Sequence, residues 1–149
     1  MEPVAVPHHS RQDQQYLLTL ARRSLEAASR NLPPPPVDHT SCPPHLEEPG
    51  ACFVTLRRAN GDLRGCTGVL IAQRPLVEEV MRTAWQTARS DPRFNPVHPE
   101  ELENIEIEIS ILTPPHPLQY DSPDGLASAL RPGIDGVMLT LGMRRATFL

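Results

Sequence analysis

Leu63-Arg64-Gly65-Cys66-Thr67-Gly68 is the stretch of this chain best equipped for chemistry. It sets a guanidinium and a thiol two positions apart on an expected β-strand, roughly 6 to 7 Å along it, near enough for Arg64 to favour a Cys66 thiolate. Glycine is costly inside a strand, so Gly65 and Gly68 around the cysteine point to something that approaches the backbone closely. Asn60-Gly61 just before it signals a two-residue hairpin turn, which pairs Arg57 with Arg64, Leu56 with Gly65, Thr55 with Cys66 and Phe53 with Gly68. In that register Phe53, Thr55, Arg57, Arg64, Cys66 and Gly68 share one polar face, with Gly68 as an open floor beside the sulfur. Two opposed arginines repel each other, so the register differs, or carboxylates intervene, or an anion binds between them.

The carboxylates on hand are Glu106 and Glu108, which alternate with isoleucines from Ile105 to Ile111. The functional reading makes Cys66 a nucleophile or ligand, Arg64 its electrostatic partner, Glu106 or Glu108 an acid, base or orienting group, and Arg57, Gly65 and Gly68 the ligand-binding floor. The plain reading makes Cys66 a small apolar residue and the Arg and Glu side chains a structural pair. No histidine lies at a recognisable spacing from Cys66, and His98 can reach it only through the fold. Asp91 and Arg93, on either side of Pro92, read as loop-tying hydrogen bonders as readily as site residues.

Composition narrows the function classes. A chain of 149 residues suits one domain, and its three cysteines with no apolar leader favour a reducing, cytoplasmic setting over a disulfide framework. All fourteen basic residues are arginine, which removes Schiff-base chemistry and a lysine-dependent phosphate loop. A net charge of -4 with no arginine block, and only six aromatics, disfavours nucleic acid. No apolar run approaches the roughly 20 residues of a membrane span.

The elements that must position these residues are legible by period. Residues 1–10 read as a mobile tail, and Ser10 with Asp13 resembles a capping box for an amphipathic helix from about Arg11 to Ala28. Residues 31–50 form a proline-rich loop. Within it His39, Cys42 and His45 are evenly spaced, yet without a fourth ligand their placement is read as incidental, so no metal and no cofactor is expected. Strands follow at 51–57 and 63–71, and Pro75 opens a second helix whose stripe runs through Leu76, Val80, Ala84 and Ala88, with Glu78 one turn from Arg82. Ser90-Asp91-Pro92 stops it. The Ile/Glu alternation predicts a half-buried strand in an antiparallel sheet, and a short helix near Asp124 to Leu130 and strands at 136–141 and 145–149 complete an α+β fold. The chain stops at Thr147-Phe148-Leu149 inside an apolar strand, as a truncated domain would.

The hexapeptide from Leu63 to Gly68 resembles the Leu-Arg-Gly-Cys-Ile-Gly signature of the AMMECR-one domain family, with Thr67 in place of isoleucine. Bacterial members of that family are called AmmeMemoRadiSam system protein A. The resemblance extends through Gly50 to Leu56, Arg74-Pro75-Leu76, Asp91 to Phe94, Glu101-Leu102, Ile105 to Ser110, Gly133 to Gly136 and Arg144 to Leu149. It implies a single two-lobed α+β domain with a cleft near the signature, and a C-terminal helical segment that is absent here. It also implies association with a Memo-type protein and a radical S-adenosylmethionine protein. The expected function is an accessory or binding component whose cleft takes a small anionic ligand or the Memo-type partner. The alternative is a thiol-dependent hydrolase or transferase with Cys66 as nucleophile and Arg64 activating it.

Overall fold

The computed structural model describes residues 8–148, and these fall into two compact units that divide between Pro114 and Pro115. The expected α+β architecture holds. Of the expected tail, residues 1–7 lie outside the described residues, whereas Ser10 is fixed as a helix cap. Its hydroxyl accepts the Asp13 N–H at 3.1 Å and the Asp13 carboxylate accepts the Ser10 N–H at 2.8 Å, the reciprocal box read from the sequence. It opens α1, Arg11–Ser29. Residues 31–50 run without regular structure except for a 3-10 turn, Pro44–Glu47, which the prolines concealed and which seats Leu46 wholly in the core.

Two strands follow, β1 at Ala51–Arg58 and β2 at Leu63–Gly68, then α2 at Leu76–Ser90 and β3 at Ile105–Leu112, the last preceded by a 3-10 turn at Pro99–Asn104. The three strands form an antiparallel sheet in the order β2-β1-β3. One face is covered by the helices. Leu17, Leu20, Ala21 and Leu25 of α1, Val77, Val80, Ala84 and Ala88 of α2, and Val54 and Leu56 of β1 are all buried together. Each such Val or Leu contributes about 1.5–3 kcal/mol on leaving water. Trp85 and Met81 pack against this core, and the Trp85 indole N–H donates to Leu32 O at 2.8 Å, which ties the proline-rich segment to α2. The expected Glu78–Arg82 pair does not form. Glu79, one residue on and only 1% exposed, meets Arg74 at 2.9 Å and Arg82 at 3.9 Å, while Glu78 faces His39. Among the described residues no helix is long and apolar enough to cross a membrane.

The second unit holds α3, Pro123–Ala129, capped by the Ser122 hydroxyl, and a hairpin of β4, Val137–Leu141, with β5, Arg144–Phe148. Its two-residue loop has Gly142 at φ 58°, the left-handed backbone that the first position of such a turn requires.

Candidate functional site

The β1–β2 hairpin closes differently from the expected two-residue turn. Arg58 N–H donates to Asp62 O and Gly61 N–H to Arg58 O, both at 2.8 Å, with Gly61 at φ 88°. The loop is therefore Ala59-Asn60-Gly61, three residues with the glycine left-handed. The extra residue shifts the pairing by one, so Arg57 stands opposite Leu63 rather than Arg64. A bulge then absorbs Arg64, and from Leu56–Gly65 onward the expected pairs return, including Thr55 with Cys66 and Phe53 with Gly68. The two arginines are not opposed. Leu63 takes the place beside Arg57 on the polar face that parity had assigned to Arg64.

Arg64 is instead 4% exposed and engaged by the segment between α2 and β3. Its Nε and Nη2 donate to the two carboxylate oxygens of Glu101 at 2.7 and 2.9 Å, Nη2 also donates to Asn95 O at 3.0 Å, and the guanidinium lies 5.8 Å from the Phe94 ring centre. That pairing holds the Glu101 carboxyl below the usual glutamate range. The guanidinium expected to partner Cys66 is thus held in an ion pair to the segment that precedes β3.

Cys66 itself is half-buried, and its peptide group is pinned from the same segment. Its N–H donates to Asp91 Oδ2 at 2.9 Å and its carbonyl accepts from Arg93 Nη2 at 3.2 Å. Asp91 is 2% exposed at its side chain and also accepts from the Arg93 backbone and guanidinium, bonds that bring its carboxyl down to about 2. Residues 91–95 thereby cover the outer edge of β2, satisfying backbone groups that an edge strand leaves open. The thiol receives a hydrogen bond from Thr55 Oγ1 at 3.2 Å.

Glu108 lies opposite Thr55 in β1 and so stands across it from Cys66, two strand spacings or roughly 10 Å away along the backbone, with its carboxylate on Arg57. Glu106 lies opposite Arg57, and Arg57 Nε is 3.7 Å from Glu108 Oε2. Of the three alternatives for the paired arginines, the different register is the one that occurs, and Arg57 and Arg64 each meet a glutamate of their own.

The two glycines are explained by the protein's own packing. A Cβ on Gly68 would fall 2.4 Å from both Cys52 O and Phe53 Cγ, and one on Gly65 would sit 3.0 Å from Thr87 Cγ2 of α2. The open floor expected beside the sulfur is filled by Phe53, and the close approach at Gly65 is that of α2.

A groove opens at the far side of the sheet, lined from both of its faces. Arg57, Glu106 and Glu108 line a groove of about 520 Å³ with Gln14, Leu17 and Leu18 of α1 and Ile107, Ile109 and Ile111 of β3. It runs beside the outer edge of β3. Arg22 takes Ile105 O at 2.7 Å, and beyond that residue the edge has no backbone partner among the described residues of this unit.

The remaining sequence candidates disperse. His39 bonds Glu47 at 2.8 Å, the Cys42 thiol is buried with its Sγ 3.5 Å from Pro43 O, and His45 meets Asp13 at 2.9 Å. Burial pushes the Cys42 thiol up and, with Glu79 nearby, pushes that of Cys52 up to about 12. His98 is exposed, with its N–H on Glu101 Oε1 at 2.9 Å. Sequence reasoning missed Glu101 as the partner of Arg64 and left Asp91 and Arg93 undecided. Only the spacing of Asp91-Pro92-Arg93 after a helix end hinted at a backbone clamp.

This arrangement can be set beside known proteins. The family model described as AMMECR1 matches residues 18–149. The chain belongs to the AMMECR1 family. A protein of Methanothermobacter thermautotrophicus is 38% identical over 143 residues, covering 94% of this chain and 72% of that protein. One from Thermococcus gammatolerans is 39% identical over 134 residues, with 86% of this chain and 63% of that protein covered. The crystal structure of the uncharacterized protein PH0010 from Pyrococcus horikoshii superposes with a TM-score of 0.79 at 35% identity, over 90% of this chain and 67% of that one. The chain thus spans about two thirds of the length of the relatives it matches.

Proposed function

We propose that this chain is a binding, accessory component and that the groove between α1 and β3 takes an extended segment of a protein partner. The observation that carries this reading is the groove itself, where Arg57, Glu106 and Glu108 meet an apolar row beside a strand edge left unpaired among the described residues. Such an edge offers main-chain hydrogen bonds to an added strand, and alternate side chains supply specificity. The charge balance favours a polypeptide over a small anion. One arginine faces two glutamates, and an anion at Arg57 would have to displace Glu108, whereas a basic side chain of a partner would meet Glu106. With Arg64 committed to Glu101, the small-anion clamp and the activated-thiol alternative both lose the group they relied on.

Family resemblance makes the Memo-type protein the partner to test, ahead of the radical S-adenosylmethionine protein. Titrating the purified Memo-type protein with this chain in a calorimeter should give saturable binding. Leu18→Glu, at an exposed groove position of α1, should weaken it by roughly tenfold or more, the effect of a charge placed in an apolar contact, and Cys66→Ala should leave it unchanged. Equal affinity for the wild-type and Leu18→Glu chains, or loss of binding in Cys66→Ala, would overturn the proposal.

A further inference from the structure

At the start of α1, the 3-10 turn Pro44–Glu47 brings His45 against His9 and Asp13. One ligand atom from each of the three lies within 4.8 Å of the other two. The carboxylate is the anchor. Asp13 is 5% exposed, and the capping box engages its Oδ2 with the Ser10 N–H, which leaves Oδ1 turned to His45 Nε2 at 2.9 Å. His45 is held in place by its neighbour Leu46, which has no exposed surface. His9 directly precedes the cap. Its carbonyl accepts from Gln14 Nε2 at 3.1 Å, and its ring stacks on that of His45 with centres 6.4 Å apart and planes 25° from parallel.

Two imidazoles beside one carboxylate, all held on short backbone tethers, form a donor set of borderline softness. Ligand atoms around a tetrahedral ion at about 2.0–2.2 Å are roughly 3.3 Å apart, so the trio closes on an ion by rotation of the two partly exposed histidine rings. Cys42 takes no part, since its buried thiol is directed at Pro43 O.

We propose that His9, Asp13 and His45 bind one zinc-class divalent cation, with water completing the shell. The ion would staple the proline-rich segment to the first turn of α1, two pieces that are far apart in sequence. This site is separate from the groove and stands independently of it.

The test uses the untagged full chain stripped with a chelator. Titration with Zn²⁺ by calorimetry, and with Co²⁺ followed by its visible ligand-field absorption, should give one equivalent bound. His9→Ala and His45→Ala should each weaken binding by roughly tenfold or more, since each removes one of three protein ligands, while Cys42→Ser should not change it. Both histidines are solvent-accessible, and unchanged far-ultraviolet circular dichroism of the variants would confirm that they remain folded. Absence of stoichiometric binding, binding indifferent to either histidine, or binding lost in Cys42→Ser would each overturn the assignment.

Discussion

The bulged Arg64 gives the sharpest test of how the signature works, because the two ends of its ion pair are unequally buried. The Arg64 side chain is 5% exposed and that of Glu101 is 32% exposed. Glu101→Gln leaves a cation in the interior with only neutral acceptors, and removing one partner of a buried pair costs about 3–5 kcal/mol. Arg64→Met removes the buried charge itself and refills much of its volume with apolar atoms. Glu101 then keeps the His98 N–H and gains water, so the loss is about 1–2 kcal/mol. The order is the prediction: the glutamate substitution is the worse of the two. Urea unfolding followed by the fluorescence of the single tryptophan, Trp85, reads it directly. With a slope of about 1.5 kcal/mol/M, Glu101→Gln lowers the midpoint by about 2 M or more and Arg64→Met by about 1 M. The double variant should resemble Arg64→Met alone, because the cost of Glu101→Gln exists only while Arg64 is charged and buried. If Arg64→Met costs as much as Glu101→Gln or more, the ion pair is not what holds this arginine.

Two further outcomes follow from the same segment and strand. The Asp91 carboxyl, brought down from 3.8 to about 2 in the fold, contributes on the order of 2 kcal/mol that is fully present above about pH 4 and lost as pH falls from there through 2. The stability gap between wild type and Asp91→Asn should therefore be wide at pH 7 and shrink by pH 2.5, and a gap of constant width across that range would contradict the assignment. Gly68→Ala drives a Cβ into the backbone of Cys52 and Phe53 and should cost about 3 kcal/mol, the upper end for overpacking. An open ligand floor would absorb the methyl, so wild-type stability in urea would reverse the reading of that glycine.

What could be read from the residues divides along a physical line. The Ser10–Asp13 box and the Ile/Glu alternation of β3 are local patterns whose meaning is set by backbone period, and they appear in the structure where the sequence places them. Asn60-Gly61 is also local but ambiguous, since a left-handed glycine serves a three-residue loop as well as a two-residue one. The choice between them moved Arg57 one step and, through the compensating bulge, took Arg64 off the polar face. Parity before and after a bulge cannot be chained together from sequence. The Arg64–Glu101 contact spans 37 positions, and no pattern in either segment announces it. Gly65 and Gly68 correctly signalled close approach, but whether the approaching body is a ligand, Thr87 or Phe53 depends on the tertiary fold.

The Arg64–Glu101 pair also bears on the register of the sheet. The β1–β2 hairpin closes over a three-residue loop and can form on its own timescale, whereas β3 must return across α2 before it pairs with β1. Glu101 lies in the turn that leads into β3, so its bond to an arginine of the hairpin and the pairing of Ile105 with Arg58 belong to one frame. A slip of one residue would turn the isoleucines outward and the glutamates into the core. The most recognisable motif of the chain therefore acts as an alignment key for the last strand of the sheet.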